Sequence, residues 1–412
     1  MQLIADENVI FRSPAPVGIF VYTPWICHGK DGRLIASFDL GGWNTGKLPG
    51  PKSASGDAAS GNQCRVMVSD DGGEHWRTTA TFGMMHARVF EAGGKFYLLG
   101  HGGALLIAVS SDNAETWSEV VTLDNTRRYH MGGGAIDYHD GKLFLAVERQ
   151  IPGRGWPGVE VVLLAAPTDA DLTCFDVWKC SNPFDLMQYD RFPNLLGMPF
   201  FPEGNLRPDH PRDLRYSGLP GVLETNVVRI YDPDHYYFDP TGHSVLLVMR
   251  VNSNLSNIGA FLEGVEHADG TLEIRPLKTP DGGDLFYVPF PGGQMKFHIL
   301  YDPETKLYWT ATTQTTDTLR QWQKLPESRF NLPYNERNRL ALYFSRNCYD
   351  WCFAGMVACQ EHDKESRHYA TLLIAGEDLL IAARSGTGEA SCAHNGDLFT
   401  LHRVRKFRNL RY

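Results

Sequence analysis

A short pattern recurs along the chain and constrains the fold more than any other feature of the sequence. Each copy is a turn followed by four or five apolar or alternating residues, and copies occupy residues 31–38, 93–100, 140–147, 241–250, 304–312 and 376–385. A turn followed by period-two alternation predicts the second half of a β-hairpin, and another strand-like run precedes each copy. No long segment has helical periodicity. Repetition of one hairpin unit predicts a repeat architecture built from strands.

The repeats predict an all-β fold, a single β-propeller of four-stranded blades over residues 1–412, with six blades by repeat count. The length alone, at roughly 100–200 residues per domain, would suggest two or three domains. Residues 183–225 are rich in turn residues and are interpreted as a long loop insertion across the binding face, although a seventh, poorly patterned blade remains open there. We expect the N-terminal segment to pair with the last unit and close the ring, since closure protects exposed strand edges.

A second pattern marks three of the predicted turns. Residues 69–76 read Ser-Asp-Asp-Gly-Gly-Glu-His-Trp, residues 110–117 repeat the pattern with Ala in place of a Gly, and residues 345–351 form a shorter copy. Ser and Asp side chains accept hydrogen bonds from nearby backbone amides, and Gly permits a positive φ. The pattern resembles the Asp-box, or BNR repeat, of the sialidase-like β-propellers. This resemblance points to the fold and not to the chemistry.

Charge and composition exclude several classes of function. The chain has 39 Lys and Arg against 48 Asp and Glu, a net charge of −9, and no basic stripe, so we expect no nucleic-acid partner. The longest apolar run, residues 161–167, is too short to span a bilayer, which predicts a soluble protein. The first 30 residues lack the pattern of a signal peptide, and an extracytoplasmic location stays open for a processed chain. We expect no cofactor and no metal, although structural calcium is compatible with the resemblance.

The sialidase resemblance implies a set of site residues. Members of that family use a Tyr nucleophile with a Glu base, three Arg that bind the sugar carboxylate, and an Asp acid/base. Residues 224–230 and the hairpin that ends at Arg250 resemble the segment that carries the Glu and one Arg, here Glu224 and Arg250. Residues 337–345 resemble the segment of the last Arg, here Arg337. Residues 367–370 resemble the nucleophile segment, which implies that Tyr369 is the nucleophile.

The residue types suit this chemistry. A phenol has a pKa of about 10 and needs a nearby carboxylate to take its proton, whereas the planar guanidinium of Arg matches a carboxylate bidentately. The chain departs from the family pattern at the first Arg, whose place is held by Tyr22 in Tyr-Thr-Pro. Asp39 follows the first hairpin and is the acid/base candidate, but without the Arg that accompanies it in the family. Structural roles remain open for each of these residues.

A second set of residues predicts a different chemistry. His86 and His101 lie at the start and the end of the second hairpin, and His130 opens the third unit, with Arg88 and Arg149 nearby in sequence. Equivalent positions of successive blades meet at one end of a propeller, so we expect the three His to converge. This set resembles the propeller lyases and rhamnosidases that act on uronate linkages. There His transfers protons near neutral pH, and Arg88 or Arg149 would neutralise a uronate carboxylate.

The prediction from sequence is a carbohydrate-active enzyme with an acidic oligosaccharide or polysaccharide as substrate. The first hypothesis is a sialidase-like retaining exo-glycosidase. The alternatives are a lyase or rhamnosidase that uses the three His, and a non-catalytic sugar-binding propeller. Three further residues are predicted to contact the sugar, namely Lys296 and His298, which alternate along one strand, and Trp156 on a loop. The oligomeric state is left open.

Overall fold

The computed structural model describes residues 2–53, 61–154, 158–186, 221–252, 256–321, 324–329 and 334–412. Within these ranges the chain is built from β-strands and short 3-10 helices, without an α-helix. The 3-10 helices comprise Lys30–Gly32, Thr45–Lys47, Phe175–Val177, Glu327–Arg329 and Phe407–Leu410. None of the described helices has the length and apolar character needed to cross a membrane.

The first three blades of the ring follow one another in the chain, after a first strand, β1 (Asp6–Arg12), that belongs to the last blade. Each blade is an antiparallel meander whose first strand is innermost. Blade 1 has the strands β2 (Phe20–His28), β3 (Leu34–Gly41), β4 (Gln63–Ser69) and β5 (Arg77–Phe82). Blade 2 has β6 (Met85–Ala92), β7 (Lys95–His101), β8 (Leu105–Ser110) and β9 (Val121–Asp124). Blade 3 has β10 (Asp137–His139), β11 (Lys142–Gln150), β12 (Val159–Pro167) and β13 (Lys179–Cys180).

The second half of the ring repeats this plan with one addition. Blade 4 has β14 (Gly221–Val228), β15 (Ser244–Asn252), β16 (Ile258–Glu266) and β17 (Leu272–Arg275). A small hairpin of β18 (Leu277–Lys278) and β19 (Asp284–Leu285) follows, and β20 (Tyr287–Pro289) pairs with β16. Blade 5 has β21 (Ile299–Asp302), β22 (Leu307–Thr313), β23 (Arg339–Ser345) and β24 (Cys352–Cys359). Blade 6 has β25 (Arg367–Ala375), β26 (Asp378–Ser385) and β27 (Leu398–Val404), with β1 outermost.

The predicted six-bladed propeller is confirmed, and each sequence repeat forms the second strand of one blade. The core lies between the blades, because each sheet is apolar on both faces. Buried apolar clusters join each pair of neighbouring blades: Leu163 of blade 3 packs in one cluster with Leu247 of blade 4, and Leu342 of blade 5 with Ile381 of blade 6. The apolar faces of neighbouring blades cover each other, and this burial stabilises the ring of repeated sheets.

The two ends of the described chain meet in blade 6. Strand β1 pairs with β27 in antiparallel register, from Asp6 opposite Arg403 to Arg12 opposite Leu398. Glu7 adds an ion pair, since its carboxylate lies 2.6 Å from Nε of Arg367 on the innermost strand. The N-terminal segment thus supplies the outer edge of the last blade.

The long loop predicted for residues 183–225 is corrected at both of its described ends. Gly221–Val228 is the buried innermost strand of blade 4, so the predicted loop overlaps a strand by five residues. Phe184 forms an antiparallel bridge with Val161. The prediction missed this strand because its sequence, Gly-Val-Leu-Glu-Thr-Asn-Val-Val, places polar side chains in a strand that is buried on both faces. Residues 187–220 lie outside the described residues.

The three turns with the second sequence pattern share one hydrogen-bonding scheme. In the first, Asp71 Oδ1 accepts from the amides of Glu74 and His75 at 3.1 and 2.9 Å. In the second, Asp112 Oδ1 accepts from the amide of Thr116 at 2.9 Å, and Ala114 takes the positive φ of 66°. All three turns connect the third and fourth strands of a blade. They fix the outer edges of blades 1, 2 and 5, far from the innermost strands.

Candidate functional site

A β-bulge interrupts the innermost strand in blades 1, 2, 4 and 6. The register shifts lie between Tyr22 and Trp25, Met85 and Arg88, Leu223 and Asn226, and His368 and Thr371. In three of these bulges the first extra residue has a positive φ, with 50° at His86, 57° at Glu224 and 57° at Tyr369. A positive φ at a residue with a side chain is strained and is found preferentially at functional sites. A bulge also redirects its side chain, here at one end of the ring.

The strand next to each bulge supplies a second polar residue at an equivalent position. The residue before the bulge pairs with Asp39 in blade 1, His101 in blade 2, Arg250 in blade 4 and Arg384 in blade 6. All four are buried. One backbone device, repeated around the ring, therefore gathers ionisable groups at the ends of the innermost strands. The candidate site is this ring of groups.

Tyr369 is surrounded by three guanidinium groups. The Cζ atoms of Arg250, Arg337 and Arg384 lie 5.7, 5.5 and 5.3 Å from the centre of its ring. Nη1 of Arg250 also donates a hydrogen bond of 2.6 Å to the phenol oxygen. Arg250 comes from blade 4, Arg384 from blade 6, and Arg337 from the segment before the third strand of blade 5. Sequence reasoning found two of these Arg and missed Arg384.

Two of these Arg contact neutral groups. Arg337 donates from Nε to Asn335 Oδ1 at 2.7 Å, and its Nη1 lies 3.0 Å from Nδ1 of His368. Arg384 donates from Nη2 to the backbone oxygen of His394. Within the described part of the chain, neither Arg forms a salt bridge. Burial lowers the pKa of Arg384 to about 10. Buried cations without carboxylate partners form a site suited to an anion.

Glu224 does not contact Tyr369 directly in the manner that the sequence prediction implied. Its two carboxylate oxygens accept hydrogen bonds of 3.1 Å from Nη1 of Arg250, the same nitrogen that donates to the phenol. Arg250 therefore lies between the predicted base and the predicted nucleophile. Glu224 is held against blade 3, where a Cβ at Gly132 would be 2.6 Å from its Cγ. The lack of a side chain at Gly132 makes room for the carboxylate.

Asp39 lies in blade 1 and is fully buried. Its carboxylate accepts hydrogen bonds of 3.3 Å from Nδ2 of Asn62 and from the backbone amide of His86. Burial raises the pKa of Asp39 to about 7, against the lowering effect of these hydrogen bonds and of the Arg384 charge. A carboxyl group that titrates near neutrality is suited to general acid catalysis. Tyr22 pairs with Asp39 across the hairpin and stacks under Arg384, whose Cζ lies 4.3 Å from its ring.

The three predicted His come together beside Asp39, whose carboxylate accepts a hydrogen bond from the amide of His86. The ring centres of His86, His101 and His130 are 5.1 to 5.6 Å apart. Nε2 of His101 lies 3.3 Å from Nδ1 of His86. Burial holds the pKa of His101 well below its ordinary value, and the two neighbouring imidazoles act in the same direction. The rings of His86 and His130 are half-buried, whereas that of His101 is buried.

Four residues predicted to bind substrate have partners within the protein. Arg88 is fully buried and donates to the backbone oxygens of Gly134 and Ala146 at 2.9 and 2.7 Å, so it supports the ring interior. Arg149 forms an ion pair of 2.8 Å with Glu160 on the neighbouring strand.

Lys296 and His298 lie deep beside Trp25. The ammonium of Lys296 donates to the backbone oxygen of Ala370 at 3.1 Å, and Nδ1 of His298 accepts from the amide of Leu372 at 3.3 Å. Both residues therefore join blades through backbone contacts. They precede β21 rather than lie in it. Trp156 lies outside the described residues.

Two buried residues of the site were missed from the sequence. Arg384 is the penultimate residue of the last repeat. In the strand register it occupies the position of Arg250 in the fourth repeat, opposite the residue before the bulge. Glu148 is fully buried in blade 3 and accepts from the amides of Gly132 and Thr225 at 3.2 and 3.1 Å. Burial raises its pKa to about 7, with the Glu224 charge contributing. Glu148 thereby joins blade 3 to the start of blade 4.

Comparison with known proteins identifies the fold. No family model matches the chain, and no curated protein matches it. Among solved structures, a protein of unknown function from Dyadobacter fermentans has 12% identity and a TM-score of 0.54, with 97% of this chain and 98% of that chain covered. The α-L-arabinanase of Penicillium chrysogenum in complex with arabinobiose has 12% identity and a TM-score of 0.52, with 98% of each chain covered.

A sialidase is also similar in structure. The Trypanosoma rangeli sialidase has 14% identity and a TM-score of 0.55, with 100% of this chain and 61% of that chain covered. This chain thus spans about 61% of the length of that sialidase. The similarities extend across the whole ring at low identity. The chain therefore has the β-propeller fold found in these glycosidases.

Proposed function

We propose that the protein is a glycoside hydrolase that removes a terminal sugar bearing a carboxylate. The observation that carries the proposal is the set of three guanidinium groups around Tyr369, two of which contact only neutral partners among the described residues. A planar carboxylate satisfies such groups bidentately. The arabinanase and sialidase among the structural neighbours support a carbohydrate as substrate.

The chemistry follows from the positions of the three kinds of group. The carboxylate of the sugar binds the Arg, which places the anomeric carbon near the phenol oxygen of Tyr369. Attack by that oxygen forms a glycosyl–enzyme bond as the phenol proton passes to Glu224, whose carboxylate rotates toward the phenol. The bond to the leaving oxygen breaks as Asp39 donates a proton to that oxygen. Water then cleaves the glycosyl–enzyme bond with Asp39 as base, which retains the configuration at the anomeric carbon.

Arg250 has two tasks in this scheme. Its hydrogen bond to the phenol oxygen stabilises the negative charge that develops there when the proton leaves. Its contact with both oxygens of Glu224 fixes the guanidinium in place. Glu224 therefore acts on the nucleophile through Arg250 in this arrangement. A rotation of Glu224 toward the phenol is needed for direct proton transfer.

The test is hydrolysis of aryl glycosides by the full chain and by Tyr369→Phe. We expect turnover of aryl glycosides of a sialic acid or a uronic acid, no turnover of the neutral aryl arabinofuranoside, and loss of turnover in Tyr369→Phe at an unchanged melting temperature. Full activity of Tyr369→Phe would overturn the role of Tyr369. Binding of the acidic sugars without turnover by the wild-type chain would instead favour a sugar-binding propeller.

The convergence of His86, His101 and His130 beside Asp39 favours a second candidate, a lyase that acts on a uronate linkage. In that reaction a neutral imidazole takes the proton at C5, and the bond from C4 to the glycosidic oxygen breaks. A double bond forms between C4 and C5, and the released oxygen takes a proton from water. The unsaturated product absorbs in the ultraviolet, so incubation with a panel of acidic polysaccharides tests it directly. Lack of absorbance across the panel would reject the lyase.

A further inference from the structure

The imidazoles of His86, His101 and His130 form a group of three side chains of the types that bind metal ions. Each offers one ring nitrogen, and these nitrogens all lie within 4.8 Å of one another. His86 and His101 lie at the two ends of the first hairpin of blade 2, and His130 lies before blade 3. The bulge at His86 and its positive φ of 50° turn that ring toward the other two. The cluster is thus set by backbone geometry.

The spacing of the nitrogens matches that of metal ligands. Zinc binds imidazole nitrogen at about 2.0–2.1 Å, so two ligands at tetrahedral positions lie roughly 3.3 Å apart. The distance between His101 Nε2 and His86 Nδ1 is 3.3 Å. A hydrogen bond of one imidazole to the other would have a similar length, so the distance allows a metal without requiring one.

His101 is the buried member of the cluster. Its Nε2 lies 3.3 Å from Nδ1 of His86, whereas its own Nδ1 has no hydrogen-bond partner among the described residues. The polar contact of this ring therefore runs toward the cluster, through Nε2. His86 and His130 are half-buried, so the cluster lies near the surface of the site. Asp39, held by the amide of His86 at 3.3 Å, places a carboxylate next to the cluster.

We propose that His86, His101 and His130 bind a divalent transition-metal ion of the zinc class through their three imidazoles. The fourth position would hold water or an oxygen of the sugar. Three protein nitrogens and one open position are typical of catalytic zinc sites, and imidazole also suits cobalt, nickel and copper. The proposal differs from the expectation of no metal drawn from the sequence. It does not depend on the proposed glycosidase activity, because binding can be measured without substrate.

The experiment measures metal retention by the full chain. The protein is treated with a chelator, incubated with zinc sulfate or cobalt chloride alone, passed through a desalting column and assayed for metal by mass spectrometry. We expect one ion per chain for the wild type and a loss of about tenfold or more in His86→Ala and His130→Ala. The matched control is His75→Ala, since the exposed His75 lies in a turn of blade 1 and contacts Asp71. It should retain one ion.

Two readouts separate metal binding from folding. His86 and His130 are half-buried, so their variants should unfold near the wild-type temperature when metal-free. Zinc should then raise the melting temperature of the wild type and of His75→Ala, but not of the two cluster variants. Retention of neither metal by the wild type would overturn the proposal. Equal retention by the wild type and the double variant His86→Ala/His130→Ala would overturn it as well.

Discussion

The two sides of the candidate site use the same backbone device to present opposite chemistry. On one side, the bulges and second strands of blades 4 and 6 place Glu224, Tyr369, Arg250 and Arg384 together. On the other, the equivalent positions of blade 2 place His86 beside His101. The Arg side is cationic and suits a carboxylate, whereas the His side is a group of imidazoles that suits a metal ion. Only the side chains at equivalent positions differ.

Two carboxyl groups lie where these sides meet. Asp39 of blade 1 accepts from His86 and is influenced by the charge of Arg384. Glu148 of blade 3 accepts from Thr225, next to Glu224. Both are fully buried, and burial raises the pKa of each to about 7. The comparison therefore predicts that these carboxyl groups contribute to the pH dependence of the protein near neutrality.

The largest effect is expected from Asp39→Asn. A general acid contributes about 10²- to 10⁴-fold to the rate, so kcat/KM on an acidic disaccharide should fall by about that factor. A general acid acts in its protonated form, which dominates below its pKa. The wild-type kcat/KM should therefore decrease as the pH rises through about 7, and the variant should lack this decrease. The measurement is kcat/KM from pH 5 to 9.

The leaving group provides the control for Asp39. In an aryl glycoside with an acidic phenol, the leaving oxygen needs little protonation. The rate at which the glycosyl–enzyme bond forms should therefore fall much less in Asp39→Asn with this substrate than with the disaccharide. An equal loss on both substrates would show that Asp39 supports the structure or the His side rather than the leaving group.

A smaller effect is expected from Arg384→Met. Loss of one charge-assisted hydrogen bond costs about 1.5–3 kcal/mol, so kcat/KM for the acidic glycoside should fall by about 10- to 150-fold. Binding of an acidic sugar, measured by calorimetry, should weaken by a similar factor. Arg149→Met is the matched control, since Arg149 is paired with Glu160 and should leave binding unchanged. If the two variants lose the same affinity, the Arg side does not bind the carboxylate.

The fold was predictable because its signal is local. A turn followed by a period-two strand requires only a few consecutive residues, and six such copies sufficed for the blade count. Strand β14 was missed because polar residues such as Glu224 and Asn226 interrupt its apolar pattern. These residues are buried since they bind groups in neighbouring blades; Asn226 Oδ1, for example, accepts from the amides of Ala135 and Ile299 at 3.0 Å. Contacts of this kind have no sequence signal.

The site was only partly predictable for a related reason. The convergence of the His followed from equivalent positions in successive blades, and Arg384 could have been found in the same way. The burial of Arg88, by contrast, depends on the oxygens of Gly134 and Ala146, which lie in another blade. The position of Arg250 between Glu224 and Tyr369 depends on three strands from two blades. Pairings across the ring are set by the packed structure.

The smallest predicted effect concerns Glu148, at the joint between the two sides. Its folded-state pKa of about 7 lies above the ordinary value of 4.5, so between these values the folded protein holds a proton that the unfolded chain has released. Stability must therefore decrease as the pH rises through this window. From pH 5 to pH 6 the wild type should lose about 1 kcal/mol more free energy of unfolding than Glu148→Gln, as measured by urea denaturation.

The contribution of Asp39 is present in both proteins and cancels in this difference. Gln also leaves one backbone donor at Gly132 or Thr225 without its acceptor, so the variant should be less stable at every pH, and only the slope is compared. Parallel slopes would mean that Glu148 is ionised at pH 5 and that blades 3 and 4 are joined by a permanent negative charge.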